Sequence, residues 1–265
     1  MDRPPLTDAV FGAALLAGSA NVIMQLARPP VGYGVVESRV ESGNIFRHPV
    51  KRARTTLTYL AVATMGTEEE RAAYRHDVNK AHAKVHSTAE SPVAYNAFDA
   101  DLQLWVAACL YRGFEDVYAA FVGEDAERFY RDSAPLGTTL QVRPEMWPAD
   151  RAAFEEYWTA ALGEVAIDET VRRYLTDIVD LRFLPPPFSV LFGPFHRFVT
   201  TGFLPPRFRD EMRLTWSARR QRRFDALTSS IGAVTRRLPG PLRRFPINLC
   251  LWDMRKRLRA GRPLV

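Results

Sequence analysis

The chain has 265 residues, 47% of them hydrophobic and 25% charged, with a net charge of +6. That length and balance suit a soluble globular protein with one large core or two modest ones, and exclude a chain disordered throughout. Only two cysteines occur, Cys109 and Cys250, and they form no CxxC; a thiolate zinc knuckle or an iron–sulfur site built from this chain alone is excluded, and a reducing compartment fits.

In chain order, MDRPPLTD shows no excess of positive charge, and no clear small-residue cleavage site follows, so no signal peptide is expected. Residues 1–5 and 263–265 read as short tails without fixed structure. The apolar stretch AVFGAALLAGSANVIMQLA (9–27) is interrupted by Ser19, Asn21 and Gln25, which predicts a buried amphipathic helix rather than a transmembrane one. A cytoplasmic location follows as an expectation. Thr7-Asp8 suits the cap of this helix, and Pro29-Pro30 suits its stop. A glycine-punctuated segment, VGYGVVESRVES, leads to Gly43-Asn44. Pro49 then fits the first turn of a helix through RARTTLTYLAVATM to Gly66. Thr67 and Glu70 make a capping box for a helix carrying His76, His82 and His86.

SPVAYNAF reads as a loop. Asp99 opens DLQLWVAACLYRGFEDVYAAFV, whose apolar residues nearly encircle it around Leu104–Leu110, so this helix belongs in the centre of the core. Further helices are expected from Glu124, Pro148, Asp168 and Phe188, from Pro206 and Ser217, and from about Pro246 to Gly261. LPPPF (184–188) and FLPPRF (203–208) are read as joints. The pattern predicts one all-α, multi-helix domain over 1–265.

Charge is unevenly placed. Residues 182–265 hold 18 Lys and Arg against 4 Asp and Glu, and the rest of the chain is acidic. A solvated helical surface is the favoured reading of this basic third, with peripheral membrane contact second. No recognisable nucleic-acid-binding motif occurs, and no nucleic-acid partner is expected.

Motifs for other chemistries are missing. There is no GxGxxG, no GxxxxGK[ST] and no GxSxG, and KAHAKVH places Ala83 where the glutamate of HExxH would stand. What remains is the histidine pair His82 and His86 beside the helix of residues 50–65. On that helix Arg52 and Thr56 share a face, and Arg54 and Thr58 repeat the spacing on another. An arginine and a hydroxyl opposite a histidine suit a haem pocket: imidazole for iron, guanidinium for a propionate or bound dioxygen, hydroxyl as a donor.

The series MQLARPPVGYGVVES, KRARTTLTYLAVATMG, HAKV, YNAFDADLQLWVAACL, WPADRAAFEEYW and FLPPRFRDEM resembles the bacterial MpaB-like oxygenases, a family related to the rubber-cleaving latex-clearing proteins. The resemblance runs from about Gly18 to about Trp216. It implies a globin-like all-α core around haem b, and oxidation of an apolar small molecule with dioxygen or peroxide. By position it assigns His82 to the iron, Arg52 and Thr56 to the haem surroundings, and Glu37 to a catalytic base. Two departures stand out. Arg28 occupies a place where many relatives have histidine, and Thr55 occupies the place of a lysine that covers the iron in rubber-cleaving members. Without that lysine rubber-type chemistry is not implied, and a chain shorter than the latex-clearing proteins, with no signal peptide expected, makes an extracellular polymer an unexpected substrate.

The plainer readings stay beside these. Thr56 suits a bond back to the carbonyl of residue 52, Glu37 an exposed carboxylate, and His196 a hydrogen-bonded core histidine. Trp105, Phe114 and Phe121 read as core, with stacking on a porphyrin as the alternative. Two other functions remain open on sequence grounds. One is a non-haem metal enzyme using His82 and His86 with Glu37 or Asp77. The other is a non-enzymatic haem carrier, haem sensor or membrane-surface protein.

Overall fold

Proline and short polar residues set most of the helix boundaries. The computed structural model describes residues 12–122 and 127–265, and over these the protein is all-α, with thirteen α-helices and no strand. A 3-10 turn (Gly12–Ala17) continues into α1 (Gly18–Leu26). The chain restarts almost at once as α2 (Pro29–Val36), within the glycine-punctuated segment. Pro29-Pro30 both ends one helix and begins the next, because the first helical position needs no amide. Gly32 fits inside α2 because no side chain would: a Cβ there would lie 2.6 Å from the Leu26 carbonyl and 3.2 Å from Val171.

Helix α3 (Pro49–Met65) starts and stops where Pro49 and Gly66 dictate. Helix α4 (Glu68–His82) opens with the reciprocal Thr67–Glu70 cap. It is shorter than expected, ending at His82. Residues 85–87 pair instead with 95–97: Ser87 donates to the Tyr95 carbonyl and Ala97 to the Val85 carbonyl, around an isolated bridge between His86 and Asn96. That pairing takes the backbone groups that one more helical turn would have used, and it carries His86 off the helix.

Asp99 caps α5 (Ala100–Val122) by accepting from the amides of Asp101 and Leu102. Then follow α6 (Pro135–Thr138), α7 (Arg151–Ala161) capped by Asp150, and α8 (Glu169–Val179) capped by Asp168. Helix α9 (Pro186–Phe203) begins two residues before Phe188, so LPPPF is mostly its first turn rather than a joint. Helices α10 (Pro206–Glu211), α11 (Ala218–Arg237), α12 (Gly240–Arg243) and α13 (Ile247–Arg259) complete the chain. The caps read at Thr7-Asp8 and the start read at Glu124 fall outside the described residues.

Helix α5 is the central element. Its residues from Leu104 to Phe121 are largely buried, and α1, α6 and α11 pack around it. Trp105 lies fully buried and stacks on Trp158 of α7 at 5.3 Å, and its indole N–H donates to the Gln25 carbonyl of α1. Gly232 brings α11 against α5, since a Cβ there would meet the Phe121 carbonyl at 2.0 Å. Trp105, Phe114 and Phe121 are core residues. The C-terminal tail, expected to be loose, is docked. Leu264 is buried and its amide donates to Asp77 at 2.8 Å, so apolar burial and one charge-assisted hydrogen bond hold it. Among the described residues, no helix is long and apolar enough to cross a membrane.

Candidate functional site

Helices α3, α4 and α5, together with α2 and the segment after it, surround a cavity of about 320 Å³. That size lies at the lower end of the range for small-molecule and cofactor sites. Most of the wall is aliphatic or aromatic, with Val31 of α2, Val78 of α4 and Leu102, Val106 and Leu110 of α5 among the contributors. Helical spacing explains which polar groups join them. Arg52, Thr55, Thr56 and Tyr59 follow i, i+3, i+4, i+7 on α3, and Tyr74, Val78, Ala81 and His82 follow i, i+4, i+7, i+8 on α4, so each set shares one face. His76 lies off this stripe and is exposed.

His82 is the last residue of α4, and its ring meets Phe98 edge-on at 6.3 Å. Its Nδ1 is buried and has no hydrogen-bond partner. Burial first, and the neighbouring Arg52 charge second, push its pKa down to about 4. The imidazole is therefore neutral at pH 7, with a lone pair available to an acceptor of electrons.

Arg52 also faces the cavity without a partner: among the described residues nothing forms an ion pair or side-chain hydrogen bond with its guanidinium. Arg52 keeps exposed surface while lining the cavity, and desolvation by the protein packed beside it lowers its pKa. A guanidinium without a partner beside an apolar cavity is free to pair with an anion that enters it. Thr56 donates to the Arg52 carbonyl at 3.1 Å and Thr55 to the Lys51 carbonyl at 2.9 Å, so each hydroxyl proton is committed and each oxygen keeps acceptor capacity. Tyr59 donates to the Leu136 carbonyl and Tyr74 to the Thr55 carbonyl; burial raises both phenol pKa values and keeps them protonated.

Glu37 is not in the cavity. It lies at the end of α2 in a neighbouring polar cleft, shared with Lys84 and His86. One of its oxygens accepts from Ser91 at 2.7 Å and from the Tyr95 hydroxyl at 2.8 Å. Tyr95 lines both the cleft and the cavity, so it stands between Glu37 and the other candidates. Sequence reasoning passed over Tyr95, which sits in a loop with no periodicity. It also passed over Tyr59, although extending the Arg52 stripe by one turn reaches it.

The alternative metal site is not assembled. His86 is exposed and lies in the cleft, beyond the end of α4. Asp77 is engaged by Lys80 and the Leu264 amide. No three His, Cys, Asp or Glu side chains among the described residues converge as metal ligands. His82 and His86, read as neighbours on one helix face, are parted because the helix stops between them. Arg28 pairs with Glu164 at 2.6 Å. His196 donates from Nδ1 to the Val179 carbonyl at 2.7 Å and its Nε2 bonds with Ser19 Oγ at 3.1 Å, as a hydrogen-bonded histidine between helices.

The His82 shift has a measurable consequence for the protein without bound ligand. Its folded pKa of about 4 lies below the ordinary histidine value of 6.5, so the unfolded chain binds the proton more readily. Its contribution is fully present above pH 6.5 and is lost as pH falls towards 4, by roughly 3 kcal/mol over that window. Urea unfolding at pH 7 and pH 5 should show a larger loss in the wild type than in His82→Gln. Equal losses would remove His82 as the titrating group.

The chain matches, over residues 9–233, the family model described as "ER-bound oxygenase mpaB/B'/Rubber oxygenase, catalytic domain". It is similar to an uncharacterized protein of Mycobacterium bovis and an uncharacterized protein of Mycobacterium tuberculosis. Each is 54% identical over 255 residues, which cover 95% of this chain and 100% of the relative. No solved structure matches the chain.

Proposed function

This chain belongs to the family of mpaB/B' and rubber oxygenase catalytic domains, an oxygenase family, and from that premise we propose that it binds haem b in the cavity between α3 and α4 and oxidises an apolar small molecule. The observation that carries the reading is two groups without partners on one apolar cavity: the neutral, part-buried imidazole of His82 and the guanidinium of Arg52, which forms no ion pair among the described residues. These residues fit haem b, which brings an iron in need of an axial base and carboxylates in need of a cation.

When bound, the haem would supply activation of dioxygen or peroxide towards carbon. The remaining work falls to the chain. His82 would hold the iron through a ring nitrogen, since burial keeps the imidazole unprotonated at neutral pH. Arg52 would pair with a carboxylate of the haem, and Thr56 beside it would offer an oxygen for orientation. Valine and leucine side chains from α2, α4 and α5 exclude water and match an apolar substrate. Glu37 acts at one remove: its carboxylate accepts from the hydroxyl of Tyr95, the residue that lines both the cleft and the cavity. Glu37 is thus a positioning residue with access to solvent protons through the cleft.

The test is dioxygen uptake by haem-loaded protein, with a reductant or peroxide, across a panel of apolar small molecules. Uptake that depends on both haem and the added molecule supports an oxygenase. Tight haem binding with no turnover on any of them would favour a carrier or sensor. Arg52→Ala is expected to weaken haem binding by about 10- to 100-fold, the loss of a charge-assisted contact, and Arg52→Lys to recover part of it in the same absorbance titration. Unchanged affinity in Arg52→Ala would take the guanidinium out of the site.

A further inference from the structure

From Val234 to Arg259 the chain carries eight Lys and Arg and a single acid, Asp253. Helix α13 in this stretch is apolar on two opposite sides. Ile247, Leu251 and Met254 follow i, i+4, i+7 and are buried against the body of the protein, where α13 packs on α3. On the other side Leu249 and Trp252 face outwards at 47% and 55% exposure, and they continue Leu242 and Phe245, which are 61% and 56% exposed. Cations stand among them. Lys256 lies over the Trp252 ring at 5.3 Å and Arg259 flanks the same stripe, while Arg255 is engaged by Glu70 of α4.

We infer that this outward stripe, Leu242, Phe245, Leu249 and Trp252 with its flanking bases, docks the protein on a lipid surface carrying anionic headgroups. A helix lying in the plane of a membrane interface needs that composition: aromatic and aliphatic side chains to enter the acyl boundary, and Lys or Arg beside them to meet the headgroups. The long stems of Lys256 and Arg259 can lie along the apolar stripe while their charges reach outwards. Charge argues against a second copy as the occupant, since two such faces of like sign repel each other. It argues against nucleic acid as well, because outward Leu and Phe side chains have no role on a phosphate backbone. The exposed first turns of α9, with Phe188, Leu191 and Phe192, are apolar too, but the nearby cations are engaged: Arg182 with Asp177 and Arg197 with Asp180. The inference is independent of the haem reading.

The experiment is flotation of the purified full chain with vesicles of phosphatidylcholine alone and of phosphatidylcholine mixed with phosphatidylglycerol. Binding is expected to the anionic vesicles and to fall steeply as salt is raised. The exposed double variant Leu249→Asp/Trp252→Asp, checked for unchanged helicity, should lose about tenfold or more in vesicle partitioning, and Phe188→Asp/Leu191→Asp should lose little. Four results would overturn the inference: no vesicle binding, equal binding to both compositions, loss confined to the α9 variant, or a concentration-dependent dimer that Leu249→Asp/Trp252→Asp dissolves.

Discussion

Replacing His82 by alanine is expected to abolish the Soret absorption of the haem-loaded protein. The affinity loss should exceed the roughly 10- to 100-fold that changes around a ligand cost, because the ligand itself is removed. The fold should survive. His82 ends α4, its ring touches Phe98 at one edge, and its Nδ1 is an unpaired buried polar atom. Deleting a group of that kind relieves a desolvation cost as well as removing packing. Far-UV circular dichroism should therefore match the wild type while the haem spectrum vanishes. His86→Ala is the control: it lies in the outer cleft and should leave the spectrum unchanged. A His82→Ala protein that still takes up haem with the wild-type spectrum would move the iron elsewhere.

The second large effect concerns the scaffold. Trp105→Ala is expected to destabilise the protein by about 3–5 kcal/mol, as large-to-small changes at fully buried aromatics do. Trp105 ties three helices together: it belongs to α5, stacks on Trp158 of α7 with an interplanar angle of 12°, and donates to Gln25 of α1. The deletion leaves both a cavity and an unpaired carbonyl. Gln25 and Val106, one on each side of that junction, line the site cavity, so surviving protein should also bind haem less tightly. Trp105→Phe should restore much of the packing without the hydrogen bond. A urea midpoint in Trp105→Ala close to the wild type would mean that α5 is not the centre of the core.

Much of this architecture was legible in the sequence because capping is local chemistry. Thr67, Asp99, Asp150, Asp168 and Ser217 each accept backbone amides at a helix start, and the apolar run around Leu104 marked the central helix. Where reading failed, long-range pairing decided. The ladder between 85–87 and 95–97 cut α4 short and moved His86 away from His82, and α2 forms in a glycine-punctuated segment to which the sequence pattern assigns no element. The cavity gathers His82, Arg52 and Thr56, which the two helical stripes made foreseeable, but it leaves out Glu37. A carboxylate at a helix end points wherever its partners pull it, and those partners, Ser91 and Tyr95, lie more than fifty residues away.

The most direct measurement is an equilibrium titration of the purified wild-type protein with haem b at pH 7, followed by absorbance in the Soret region. A saturable rise ending at one haem per chain, absent from His82→Ala, is the predicted result. A shallow, unsaturated rise identical in the two proteins would contradict the assignment of His82 and of the cavity it faces.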